Sequence, residues 1–147
     1  MSQIEYRESE GPISRELMEV LCPVSCELFR AEGQPEPSLE QLTEYLETNL
    51  TGFRWVHLCM AYVGEKLVGY KVGRSNGPRT FESWNGGVLP EARRRGIATE
   101  LARRQEAWCR ARGFRFLCTE TAHDNGPMLI LNLKRGFHIS GTYQSRG

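Results

Sequence analysis

Three arginines in a row, Arg93-Arg94-Arg95, lead into Gly96-Ile97-Ala98 a few residues after the strand-stopping Pro90. Where a strand hands over to a helix, several backbone N–H groups lack partners and sit at the positive end of the helix dipole. The chemistry on offer is anion binding. Small residues at 96 and 98 let a phosphate approach the main chain, and guanidinium groups add charge and bidentate contacts. The two commonest alternative phosphate cradles, a Walker lysine loop and a G-x-G-x-x-G dinucleotide turn, are missing from the sequence. A run of arginines is usually just a solvated loop, and its position at a strand-proline-helix junction argues against that reading here.

Other reactive side chains point nowhere as clearly. The five cysteines, at 22, 26, 59, 109 and 118, are odd in number and lack C-x-x-C spacing. Neither a disulfide framework nor a structural zinc site follows, and a reducing cytoplasm is the simplest setting. Cys118 reads as a core residue rather than a nucleophile, because no base is tied to it. His57, His123 and His138 lack ligand spacing, so they read as structural or rim residues and no metal is expected.

The elements that must position the arginine junction follow from periodicity. Ile4-Glu5-Tyr6-Arg7 suits a short first strand. A helix over 14–30, interrupted at Pro23, is followed by a loop over 31–37. A second helix over 38–50 opens on the capping-box pattern Ser38-Leu39-Glu40-Gln41. From residue 53 the period turns to two: strands over 55–63 and 66–72 flank a Gly64-Glu65 turn. A third strand over 80–89 follows the turn at Asn76-Gly77-Pro78.

Residues 96–112 predict a helix with Ile97, Ala98, Leu101, Ala102, Gln105, Trp108 and Cys109 on one face. Glu100/Arg104 and Glu106/Arg110 form i,i+4 pairs opposite. A mostly apolar strand over 114–119 suits a parallel pair. A shorter helix over 126–135, capped by Asp124 or Asn125, and a last strand over 137–143 complete the series.

A chain of 147 residues with 39% apolar and 25% charged residues is expected to form one globular domain. Its formal net charge of +1 argues against a nucleic-acid partner, although an arginine helix is the feature such a partner would use. No apolar run approaches the ~20 residues of a membrane helix, so a cytoplasmic protein without a membrane partner is expected.

Val88-x-Pro90 followed by Arg93-x-x-Gly96-x-Ala98, with Asn125 opening a helix that closes in Gly136-Phe137, resembles the GNAT superfamily of N-acetyltransferases. The resemblance covers about residues 53–143 and leaves the helices over about 12–50 as a variable acceptor region. It implies an α/β GNAT fold: a mixed, mostly antiparallel sheet of about six strands flanked by about four helices. Acetyl-CoA or another acyl-CoA is the implied donor, and a small-molecule or peptide amine the implied acceptor. Relatives add a seventh strand, which the four residues after Tyr143 cannot supply. A shortened sheet or an edge completed in a homodimer is the expectation, since a bare edge exposes unpaired backbone groups.

The resemblance places Val88, Leu89, Arg93, Arg94, Arg95, Gly96, Ile97, Ala98, Thr99, Asn125 and Asn132 against the coenzyme. Asn85-Gly86-Gly87 suits a bulge that leaves a backbone N–H free for the thioester oxyanion. Amine attack requires a neutral amine, and Glu82, at an even spacing from Val88 that puts both on one face, is the candidate base. Its plain reading is a rim glutamate. Many relatives carry a tyrosine acid where this chain has Asn132, whose amide cannot protonate a thiolate. Tyr143, Cys118 or water then stays open as the proton source. Trp55 and Trp84 are acceptor-pocket or core residues. Glu32, Glu36, Glu40 and Glu44 suit a cationic acceptor or simply a solvated face. A coenzyme A-binding module without catalysis is the alternative reading.

Overall fold

The turn at Gly64-Glu65 joins two strands whose side chains are buried on both faces, and this hairpin is the centre of the molecule. The computed structural model describes residues 3–29 and 33–144. Strands β1 (Ile4–Glu10), β2 (Val56–Val63), β3 (Lys66–Ser75), β4 (Thr80–Val88) and β5 (Phe116–Thr119) form one sheet in the order β1-β2-β3-β4-β5. The first four run antiparallel, and β5 pairs parallel to β4. Helices α1 (Arg15–Phe29) and α2 (Leu39–Leu50) cover one face. Helix α3 (Ile97–Ala111) covers the other, and α4 (Gly126–Lys134) follows β5.

Each face has its own apolar cluster. Leu21, Leu46, Leu58, Tyr70 and Val72 pack below α1 and α2, while Cys59, Ala61, Val68, Val88, Ile97 and Leu101 pack below α3. The expected capping box forms: the Ser38 hydroxyl accepts from the Gln41 amide at 3.1 Å, and the Ser38 amide donates to the Gln41 side chain at 2.8 Å. Beside α3, His57 is 1% exposed, stacked on Trp108, and bonded through Nε2 to Glu8 at 2.9 Å. Burial pushes its pKa down against the pull of Glu8. It is a structural histidine.

Four expectations need correction. Helix α1 continues through Pro23 instead of breaking there. The ring lies on the exposed side, so water can serve the carbonyl that loses its partner, while Leu21, Cys22 and Val24 keep their burial. Its expected end at Arg30, the first loop residue Ala31 and Glu32 lie outside the described residues. The strand expected over 137–143 does not form, so among the described residues the sheet has five strands rather than six. The alternation there has no layer to bury against: Ile139 is 70% exposed. Glu106 pairs with Arg135 at 2.6 Å rather than with Arg110, because α4 brings a closer guanidinium.

The fourth correction concerns register. The bulge expected at Asn85-Gly86-Gly87 falls one residue earlier. Val72 pairs with Asn85 and Gly73 with Ser83, so Trp84 is the extra residue. One additional residue reverses side-chain parity. Val88 faces α3, but Glu82 lies on the opposite face with Trp84, which packs toward α1 and α2. The even spacing of 82 and 88 therefore does not put them on one face.

Candidate active site

The junction between β4 and α3 is built as a turn with two left-handed residues, Arg94 at φ 64° and Gly96 at φ 75°. Gly96 occupies the N-cap position and contributes no side-chain hydrogen bond. Ile97, Ala98 and Thr99 are the first helical residues, whose N–H groups have no acceptor within the helix. Their dipoles converge on a pocket of about 220 Å³ lined by Val88, Arg93, Arg94, Gly96, Ala98 and Thr99. Left-handed turns of this kind form concavities of backbone N–H groups suited to anions.

Arg93 folds back so that Nε donates to the Val88 carbonyl at 3.0 Å, bracing the end of β4. Arg94 lines the pocket, and Arg95 does not. Leu89 also lies outside it: its side chain is buried with the α1/α2 cluster, and its N–H donates to Val68 at 2.8 Å. Further along α3, Arg103 holds the Glu100 carboxyl down to about 2. Arg104 bonds Glu100 and Glu8, and Arg112 bonds Glu10, so all three guanidiniums are already engaged.

A second cavity of about 320 Å³ opens where β4 and β5 part company. Their pairing ends at Ser83 and Thr119. Beyond that point β4 runs on to Val88 while the chain leaves β5 toward α4, which closes one side with Asn125, Met128 and Leu131. Val88 and Ala98 line both cavities, so the slot runs directly from the anion pocket. Its far end meets the α1/α2 face at Phe29, Tyr70, Trp84 and Asn85, with the Tyr70 hydroxyl donating to Asn85 at 2.8 Å.

Backbone polarity in the slot follows from strand alternation. Because the Leu89 N–H points to β3, those of Val88 and Gly86 point away from β3, into the slot. The slot thus carries unspent donors in a row.

The remaining candidates divide. Asn125 caps α4, accepting from the Met128 amide at 3.4 Å, and lines the slot. Asn132 sits behind the lining, donating to the Thr121 hydroxyl at 3.0 Å. Glu82 lies 3.5 Å from Arg74, whose guanidinium is sandwiched between the Phe53 and Trp84 rings, and it does not line the slot. Tyr143 is exposed and donates to Glu120 at 2.6 Å, and that carboxylate raises its pKa. Glu120 does line the slot.

Two ionisable slot residues, Glu120 and Lys71, were not among the expected site residues. The signal for Lys71 was a single charge inside the apolar run Leu67-Val68-Gly69-Tyr70-Lys71-Val72. Among the described residues, no group of three or more His, Cys, Asp or Glu side chains is arranged to hold a metal ion. No described helix is long and apolar enough to cross a membrane.

Known structures share this architecture. An integron cassette protein from the mobile metagenome of V. cholerae superposes with a TM-score of 0.78 at 18% identity, covering 100% of this chain and 94% of that one. Ribosomal-protein-alanine N-acetyltransferase from Brucella melitensis biovar Abortus 2308 gives 0.76 at 14% identity, covering 99% of both chains. AAC(6')-Iy, solved with a bisubstrate analog of coenzyme A and monomethyl-acetylneamine, gives 0.70 at 16% identity, covering 99% of this chain and 100% of that one. No curated protein sequence matches this one significantly. The sequence profile of the acetyltransferase (GNAT) family matches residues 19–137. With that profile spanning most of the chain and the fold agreeing, this protein belongs to the GNAT family of N-acetyltransferases.

Proposed function

We propose that this chain moves an acetyl or similar acyl group from acyl-coenzyme A to a primary amine, by direct attack in a ternary complex. The observation that carries the reading is the continuity of the α3 anion pocket with the β4/β5 slot through Val88 and Ala98. A diphosphate fits the amides of residues 97–99, and an extended pantetheine arm fits the donors of Val88 and Gly86. The Gly86 N–H, next to the bulge, then stabilises charge on the thioester oxygen. The amine approaches from the α1/α2 side, past Trp84 and Phe29. The five free cysteines suit a cytoplasmic setting.

Turnover of acetyl-coenzyme A with a panel of aminoglycosides, polyamines and peptide N-termini, followed by free thiol release, tests the reading. Those classes are chosen because structural neighbours are named as aminoglycoside and ribosomal-protein-alanine acetyltransferases. Binding without turnover of any amine would favour the alternative, a coenzyme A-binding regulatory module. Asn132 in place of an acidic tyrosine motivates that alternative.

An alkylammonium has a pKa near ~10, so the amine must shed a proton before attack. Glu82 and Glu120 are the two carboxylates on offer. Glu82→Gln is expected to lower the rate by about 10-fold to 10²-fold, most strongly near neutral pH, and to leave acyl-coenzyme A affinity intact. An unchanged pH profile in Glu82→Gln, with the loss appearing in Glu120→Gln, would move the base to the carboxylate that lines the slot.

We further infer a homodimer that covers the outer edge of β5. That edge has no strand partner among the described residues, and Phe116, Ile130, Leu133, Ile139 and Tyr143 are exposed in and around it. Sedimentation across a wide concentration range should report twice the chain mass; a monomer throughout contradicts the dimer.

A further inference from the structure

Lys71 belongs to β3, one strand removed from the slot, yet it lines the slot. The reason is Gly86, its partner across the β3/β4 pair. Both face the α3 side, and a glycine leaves no side chain between the lysine stem and the slot. The approach is close: a Cβ at Gly86 would stand 2.9 Å from the Lys71 Cα. Lys71 is half-buried, and no carboxylate of the described residues comes within ion-pair distance of it. Its Nζ is not sealed from solvent, so the slot is where the ammonium meets water, and a lysine on an otherwise apolar strand is uncommon. Its position opposite Gly86 puts it beside the segment of slot where the proposed function seats the thioester.

We propose that Lys71 protonates the coenzyme A thiolate as it leaves. This rests on the acyl-transfer reading above and supplies the proton that Asn132 cannot. When the amine-derived adduct collapses, the C–S bond breaks and its electron pair stays on sulfur. A proton from Nζ completes the thiol. The proton lost by the attacking nitrogen passes through the carboxylate base to solvent, from which Lys71 is reprotonated.

The surroundings suit that cycle. Burial pushes the Lys71 ammonium below its usual value, Glu106 on α3 draws it back, and Arg135 beyond α4 lowers it further. Cys59 on β2 and Glu120 beyond β5 are the other titratable groups that face it or share the slot. Lowering the ammonium makes its proton easier to release to the departing sulfur.

The test uses coenzyme A itself, so it needs no knowledge of the acceptor. Thiolate absorbance of bound coenzyme A, titrated with pH, should show a thiol pKa roughly one unit below that of free coenzyme A. Lys71→Met should return it to the free value without weakening binding, and Lys71→Arg should keep it low. With an acetyl-accepting amine, both variants should lose about 10²-fold in kcat at unchanged KM for acetyl-coenzyme A, since arginine holds charge but does not release a proton. Full kcat in Lys71→Arg reduces the role to charge alone and overturns the proton transfer. A bound thiol pKa equal to the free one, indifferent to Lys71→Met, overturns the inference while leaving acyl transfer standing. Failure of the wild-type chain to bind coenzyme A overturns both.

Discussion

Thr99→Glu is expected to weaken coenzyme A binding by roughly 10²-fold while leaving the fold intact or slightly more stable. Thr99 is exposed, lies in the first turn of α3, and lines the anion pocket. A glutamate there complements the helix dipole, an effect of about 0.3–1 kcal/mol. The same carboxylate meets the diphosphate at close range. Two unit charges about 4 Å apart repel by about 4 kcal/mol at an effective dielectric constant near 20, and partial hydration at the rim leaves enough for a hundredfold loss. Thr99→Gln, of matching size and no charge, should bind nearly as well as the wild type. Calorimetric titration of the three proteins decides the matter: equal affinities for Thr99→Glu and wild type would mean that the phosphates bind elsewhere.

The second large effect is expected at Gly86. A Cβ there would lie 2.4 Å from the Tyr70 carbonyl oxygen and 2.9 Å from the Lys71 Cα. Both are main-chain atoms of β3, which cannot turn aside as a side-chain tip can. Gly86→Ala must push the two strands apart beside the bulge, at a cost of about 3 kcal/mol, or near 10 °C in melting temperature for a chain of this size. The neighbouring Gly87→Ala makes the control. Its Cβ would meet the Leu28 side chain at 2.8 Å, a flexible tip that can move, so about 1 kcal/mol is expected. Thermal unfolding of the pair should rank them in that order. Equal melting temperatures would show that the close approach at Gly86 carries no constraint.

What the sequence made legible was set by local chemistry. The Ser38-to-Gln41 capping box, the α3 face of Ile97, Leu101 and Gln105, and the arginine-glycine junction are each decided within a few neighbouring residues. The capping box and the helix form as expected, and the junction folds as a strand-to-helix turn with Gly96 at the N-cap. The misreadings have long-range causes. Trp84 becomes a bulge because of how β3 pairs with β4, and no period within β4 announces it; Glu82 changed face as a result. Pro23 is accommodated because burial of its helix outweighs a lost hydrogen bond. Glu106 chose Arg135, 29 residues away, over Arg110 on its own helix. Residues 137–143 carry an alternation suited to a strand, but pattern alone cannot provide a surface to cover it. Lys71 was overlooked because its importance depends on the glycine across the strand pair.

The most direct test of the account is to follow the backbone amides of Gly96, Ile97, Ala98 and Thr99 by NMR while coenzyme A is added, with calorimetry in parallel. These amides, together with those of Gly86 and Val88, should shift with the same saturation curve that the heats follow. Binding heat with these signals unmoved, or no heat with any coenzyme A thioester, would contradict it.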